Sequence, residues 1–292
     1  MRTAQYVLAG LSAGSLYALV ALGIVLIYRA TRILNFAHGD VATFGTFVAL
    51  TLLGERVPFS GALLLSLLAG AVLAVAFYFG VLVPAQRRDA NLLGQVILTL
   101  GLALILQGMT IAVWGAEPLP FPFPISDTRT FTLGGVVVSH LALATLSVGV
   151  VGSVLLYLLV QRTRLGLALR ATSENLSAAQ TLGLPTRPIL ALAWGVASAL
   201  GVLAGVFLAP ALLLDPFFML DPFLKAFAAA VLGGLNSLPG AIVGGLALGV
   251  AESLTGAWIS IQFKNTLAFV VIIVVLLVRP EGLFGTEFKE RV

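Results

Sequence analysis

Residues 6–28 read YVLAGLSAGSLYALVALGIVLIY, twenty-three residues without a charge. An α-helix rises ~1.5 Å per residue, so about twenty apolar residues cross the ~30 Å hydrocarbon core of a bilayer. The run is too long for the core of a signal peptide and lacks a clear cleavage site, so it is expected to be a retained span. Similar runs recur outward from it near 36–53, 61–83, 92–114, 138–160 and 189–213. The last third holds shorter apolar pieces at 223–235, 240–256 and 266–278, broken by Asn236-Ser237-Leu238-Pro239-Gly240 and by 257–265. If every piece crosses there are nine spans; if one is re-entrant there are eight. The expected fold is an all-α, polytopic integral membrane helical bundle. It forms a single transmembrane domain over 1–292, with broken or re-entrant helices in its C-terminal third.

Composition agrees. Of 292 residues, 10% are charged and 60% hydrophobic, and the mean hydropathy is +1.10. A soluble domain would be about a quarter charged. The formal charge is +4. In a soluble protein that would raise the question of nucleic acid; here the arginines are expected in loops facing anionic membrane lipid, and no nucleic acid is expected. There is no cysteine, which excludes disulfides, thiol chemistry and cysteine metal sites.

Alternate loops divide the positive charges. One set holds Arg29, Arg32, Arg87, Arg88, Arg162, Arg164, Arg170, Arg187, Arg279, Lys289 and Arg291. The other holds only Arg2, Arg56, Arg129, Lys225 and Lys264. The richer set is expected in the cytoplasm, which places the N-terminus outside and the C-terminus inside. The Pro-rich stretch 117–137 is then external, a stiff loop or a short hairpin.

The long polar loop is 162–188, RTRLGLALRATSENLSAAQTLGLPTRP, with four arginines among apolar neighbours. Residues 165–171 are expected to extend the preceding helix past the bilayer. Ser173 as N-cap and Gly183 at the C′ position, with Pro185 beyond, frame a short helix over 174–182. Leu176, Ala179 and Leu182 recur on it at helical spacing, and Ala178 and Ala179 are small enough for close approach of another surface. Such a helix either docks a cytoplasmic partner or anchors the loop at the interface.

Polar groups at membrane depth are the other candidates. Asn35, His38 and Asp40 open the second span within ILNFAHGDVATFGTF, and Asn35 is placed to accept from the Ala37 or His38 N–H. His38 is either a packed histidine or a proton relay. Glu252 lies deep in 240–256, where a carboxylate is expected to find a partner such as Lys225 or Lys264. Gln95, Thr99 and Gln107 share one span, lining a polar path or bonding a neighbouring helix. Gly233, Gly234, Gly240, Gly244, Gly245 and Gly249 form small-xxx-small patterns that allow close helix packing. The break at Asn236–Gly240 has the form of an interrupted transporter helix. No GxxxxGK[ST] phosphate loop, HExxH or Cys/His cluster is present, so no cofactor or metal site and no enzyme activity is expected in this chain.

Four segments carry a resemblance: GLSAGSLYALVALGIVLIYRATRILNFAHGD (10–40), GLALRATSENLSAAQTLGLPTRPI (166–189), KAFAAAVLGGLNSLPGAIVGGLALGVAE (225–252) and LLVRPEGLFG (276–285). Over nearly its full length the chain resembles the permease subunits of ABC importers for branched-chain amino acids. It departs from the family pattern at Ser177, where the coupling loop has Glu; at Asn236, where Gly is common; and at PAQRRDAN, where a Tyr-Arg-Pro element is usual. The resemblance implies alternating access in a bacterial or archaeal inner membrane. It also implies a second homologous permease subunit, two cytoplasmic ABC ATPases carrying ATP and Mg, and an external solute-binding protein. It makes 162–188 the coupling loop, with Arg170, Ser173, Glu174, Ala178, Ala179, Leu182 and Gly183 facing the ATPase. Asn35, Phe36, His38, Gly39, Asp40, Gly234, Asn236, Ser237, Gly240 and Glu252, in the polar and glycine-rich segments at membrane depth, are the candidates for the translocation pathway. Import of urea or short amides by the same machinery stays open, as does an ion-coupled secondary transporter using His38, Asp40 or Glu252.

Overall fold

The computed structural model describes residues 2–125, 130–133 and 136–285. In chain order the helices are α1 (Arg2–Thr31), α2 (His38–Gly54), α3 (Phe59–Phe77), α4 (Val83–Arg87), α5 (Leu92–Trp114), α6 (His140–Arg162), α7 (Arg164–Glu174), α8 (Leu176–Thr181), α9 (Thr186–Leu212), α10 (Leu220–Gly233), α11 (Leu238–Trp258) and α12 (Ile261–Val278). Between α5 and α6, strands β1 (Thr130–Leu133) and β2 (Val136–Ser139) pair as an antiparallel hairpin. Among the described residues, six helical stretches are long and apolar enough to cross a membrane: 3–31, 59–87, 92–114, 140–162, 186–212 and 238–258. The helices α2, α10 and α12 are also hydrophobic, but with 17, 14 and 18 residues they are shorter. The fold is a helical, polytopic membrane protein.

The stretch 59–87 shows how sequence shapes a span. Pro84 has no N–H and its ring crowds the carbonyl four residues back. The chain accommodates it with one π-helical turn, Tyr78–Leu82, immediately before the proline-containing turn of α4. The helix therefore continues rather than stopping.

The contacts divide the chain into two compact units. The first comprises residues 1–25, 125–153 and 223–292; the second comprises 26–124 and 154–222.

In the first unit, α1 packs on α11 through glycine. A Cβ on Gly10 would meet Val250 Cα, one on Gly249 would meet Gly14, and one on Gly245 would meet Ala18. The small-xxx-small pattern is thus a backbone-to-backbone contact. Ser253 Oγ donates to the Tyr6 carbonyl at 2.7 Å along the same seam. A second contact joins α10 to α11, where Gly233 meets Gly240 and Gly244 meets the Ala229 carbonyl. The segment after α12 turns back onto this hairpin: Leu283 N donates to the Leu232 carbonyl (2.8 Å) and Phe284 N to that of Gly233 (3.0 Å). The α10–α11 turn therefore lies on the same side as the end of α12.

In the second unit, α2, α3 and α9 pack on one another and α5 lies against α2. The two faces of α5 are plain in its sequence. Thr99, Ala103, Leu106 and Thr110, spaced by four, three and four, are buried, while Leu93, Ile97, Leu100 and Leu104 are exposed. The second stripe is what a lipid-facing helix surface requires. Leu119 and Leu214 exchange backbone hydrogen bonds at 2.9 and 2.8 Å, tying the loop after α5 to the end of α9.

Candidate functional site

The polar loop folds as two short helices with separate caps. Residues 165–171 do not prolong α6, as the sequence led one to expect. The chain breaks at Thr163, whose hydroxyl accepts from Gly166 N at 3.0 Å and starts α7. Gly166 lies so close to the Leu159 and Val160 carbonyls that a Cβ would collide with them. The predicted N-cap is also displaced. Ser173 is inside α7, donating back to the Leu169 carbonyl at 2.7 Å. The cap of α8 is Asn175, in extended geometry (φ −150°, ψ 101°) with its side chain accepting from Ala178 N at 2.9 Å. The short helix is thus Leu176–Thr181 and not 174–182. A serine can satisfy itself by bonding back to the preceding turn, whereas Asn175 sits where the chain is already extended.

The other end is as expected. Gly183 has φ +79°. Its N–H donates to the Gln180 carbonyl (2.9 Å), and Leu184 N donates to that of Ala179 (3.0 Å). These are the paired bonds of a Schellman motif. Of the three residues recurring on α8, only Ala179 turns inward, at 2% exposure; Leu176 is 47% and Leu182 81% exposed. Ala178 and Glu174 are exposed as well. Arg170 reaches back to α6, donating to Gln161 Oε1 at 3.0 Å. The loop is thus rigidly framed and presents Leu176, Ala178 and Leu182 outward.

The NFAHGD segment belongs to the same compact unit. Asn35 Oδ1 accepts from Ala37 N at 3.1 Å, as the spacing predicted. Thr99 on α5 pins the segment from the side: Phe36 N donates to its hydroxyl at 3.2 Å, and that hydroxyl lies 3.4 Å from the Leu34 carbonyl. Asp40 Oδ1 accepts from Gln107 Nε2 at 2.8 Å. Gln95 instead bonds Gln86 (2.9 Å) and the Ala90 carbonyl (3.0 Å) at the end of its helix. The three polar residues of α5 therefore serve helix contacts and turns, and do not form one polar row. His38 is fully buried, and neither ring nitrogen has a hydrogen-bond partner. Gly201 of α9 makes room for it: a Cβ there would come within 3.2 Å of His38 Cε1 and Nε2. Gly39 is buried in the first turn of α2.

The second group of candidates lies in the other unit. Lys225 Nζ is 2.6 Å from Glu252 Oε1, both residues being under 5% exposed. Lys264 Nζ approaches the same oxygen to 3.6 Å from a more exposed position, and the Lys225 ammonium lies 5.9 Å from the Tyr17 ring centroid. Glu252 thus has the lysine partner that its depth demanded. Ser237 caps α11, its hydroxyl accepting from Gly240 N at 3.1 Å. Gly234 has φ +102° and is overlaid by Glu281 and Gly285, so a side chain there would be blocked twice. Asn236 completes the turn between α10 and α11. The sequence-selected residues thus form three structured sites: the capped loop, the NFAHGD segment on α2, and the α10–α11 hairpin with its buried ion pair. What the sequence did not single out is Asn175, Thr163, and the pairing of Asp40 with Gln107. Asn175 was visible as a strong cap type; the pairing joins residues 67 apart and left no local signal.

Comparison with known proteins gives the family. Residues 6–277 match the model of the branched-chain amino acid transport system / permease component family. The chain is 34% identical over 301 residues to the high-affinity branched-chain amino acid transport system permease protein BraD of Pseudomonas aeruginosa, covering 99% of this chain and 97% of BraD. It is 31% identical over 302 residues to the corresponding protein LivH of Escherichia coli K12, with the same coverage. The probable branched-chain amino acid transport permease protein LivH of Methanocaldococcus jannaschii is 32% identical over 293 residues, 94% of this chain and 90% of that protein. No solved structure matches the chain. With a match that runs through every candidate segment except the closing tail, the chain belongs to the family of permease components of branched-chain amino acid transport systems.

Proposed function

We propose that this chain is one of two membrane-spanning subunits of an ABC importer that carries branched-chain amino acids inward across a bacterial or archaeal cytoplasmic membrane. The observation that carries the reading is the full-length family match together with a rigid, doubly capped loop whose apolar side chains face outward. A stand-alone ion-coupled transporter has no use for such a surface. In this reading two ATPases, holding ATP and Mg, dock on the α7–α8 loops of this subunit and of a homologous partner. An external binding protein delivers the solute. The orientation is N-terminus outside and C-terminus inside, a reading the arginine distribution supports.

ATP binding moves the pathway only through contacts that differ between its two states. A capped helix is suited to this, because it passes on a displacement instead of fraying. Arg170 ties α7 to the end of α6, so a push on α8 reaches a spanning helix through few soft joints. Specificity for an aliphatic solute rests largely on the binding protein, and the pathway needs only to accept it.

The test is reconstitution. Proteoliposomes holding this chain, its partner permease, the ATPases and the binding protein should take up leucine only with ATP. Leucine uptake by this chain alone on a proton gradient would overturn the proposal. Uptake of urea or amides in preference to leucine would assign the machinery a different solute.

A further inference from the structure

Two lysines hold Glu252 unequally. Lys225 Nζ closes on its Oε1 at 2.6 Å, with both side chains almost fully buried. Lys264 Nζ stands 3.6 Å from the same oxygen, beyond the ~2.7–2.9 Å of a charge-assisted hydrogen bond, and its side chain is 43% exposed. Its stem runs past Gly256, one turn after Glu252 on α11, where a Cβ would lie 3.4 Å from Lys264 Cδ. No side chain on Gly256 holds the stem, and a flexible four-carbon stem can swing aside.

The contact lies toward the end of α11 that is opposite the α10–α11 turn. From residue 252 to Trp258, the last residue of α11, the helix rises about 9 Å. Lys264 is in the first turn of α12, which begins at Ile261. In the orientation proposed above this end is the outer one, so a solute released outside the membrane meets Lys264 before Glu252.

A cation and an anion in loose contact are complementary to a molecule that carries both charges in the reverse order. An α-amino acid is such a molecule. Its carboxylate accepts from Lys264 and its ammonium donates to Glu252, so two charge-assisted contacts replace one long one and the net charge of the cluster is unchanged. A lone carboxylate entering there would face Glu252, and a lone ammonium would face two lysines. Urea and neutral amides bring no charge to either group.

We infer that Lys264 and Glu252 form a site for the charged end of a zwitterionic α-amino acid, Lys264 swinging out to hold the carboxylate and Glu252 receiving the ammonium. Lys225 stays on Glu252 throughout and keeps it in place. The site selects amino acids as a class and leaves the aliphatic side chain unread. The inference rests on the transport reading and narrows the solute class within it.

The full chain is placed in nanodiscs without binding protein. Dissociation constants are measured by saturation-transfer NMR for leucine, for leucinamide, which lacks the carboxylate, and for 4-methylpentanoate, which lacks the ammonium. Leucine should bind at least about tenfold more tightly than either, the worth of one charged hydrogen bond. Lys264→Gln should remove the preference for leucine over leucinamide, and Lys264→Arg should keep it. Lys264→Glu should reverse it in favour of leucinamide, a gain that a misfolded chain cannot show. Glu252 is left unaltered, because its loss strands Lys225. Equal binding of the three ligands, or a preference undiminished in Lys264→Gln, would overturn the inference. ATP-driven leucine uptake by the reconstituted importer tests the transport reading separately. Uptake at full rate with Lys264→Gln overturns the site alone, and an unaltered importer that takes up no leucine overturns both.

Discussion

Lys225 Nζ and Glu252 Oε1 lie 2.6 Å apart, joining α10 to α11 where almost no solvent reaches either group. Breaking a buried pair from one side leaves an uncompensated charge and costs about 3–5 kcal/mol, whereas replacing both members with apolar residues is often near neutral. Glu252→Leu, which strands Lys225, should therefore lower the thermal midpoint of the purified permease steeply, and Lys225→Met should lower it less, because Lys264 stays near the carboxylate. The double replacement Lys225→Met/Glu252→Leu should recover most of the loss. If the two single effects simply add in the double variant, the pair is not coupled as the geometry requires.

Gly183 ends α8 in left-handed geometry, and none of the described residues lies within 4 Å of where its Cβ would be. A substitution there is opposed by backbone conformation alone, at about 1–2 kcal/mol for a β-branched residue. Gly183→Val should loosen the loop and reduce co-purification of the ATPases, while Gly183→Asn should be tolerated far better. Equal effects of valine and asparagine would point to a side-chain contact instead.

Asn175 rather than Ser173 caps α8, so the two positions should separate cleanly. Asn175→Ala should cost about 1 kcal/mol and speed amide exchange across 176–182. Ser173→Ala removes only a bond to its own preceding turn and should leave that exchange unchanged. Faster exchange in the serine variant alone would reverse the assignment.

Gly249 and Gly14 meet backbone to backbone between α11 and α1. Either one changed to Val should force the helices apart and abolish recovery of folded protein from membranes. Gly54, with no described residue within 4 Å of where its Cβ would be, is the control, and Gly54→Ala should be recovered at the level of the unaltered chain. Normal recovery of Gly249→Val would mean that the seam yields more readily than its geometry indicates.

Much of this could be read from the sequence because hydrocarbon imposes simple demands. Run lengths located α1, α5, α6 and α9 to within a few residues, and the depth of Glu252 required the partner it has. Gly183 was legible because a Gly followed by Leu-Pro leaves the helix little else to do. Competition between neighbours was harder to read. Ser173 and Asn175 are both good caps, and only the tertiary path of α7 decides between them. Thr163 starts α7 because Gly166 packs against the end of α6, a contact invisible before folding. The bond from Gln107 to Asp40 depends on how α2 meets α5, and nothing local announces it.

The seam between α1 and α11 also bears on how the molecule is made. Ser253 bonds Tyr6 across 247 positions of sequence, and the glycines that admit this contact lie at both ends of the chain. α1 must therefore wait in the bilayer until α11 has been synthesised. Its stripe of Gly10 and Gly14 stays open to any other close-packing helix through that interval. Biogenesis then depends on a long-lived half-assembled state, and mutations at these glycines should be felt first as failures of insertion and quality control.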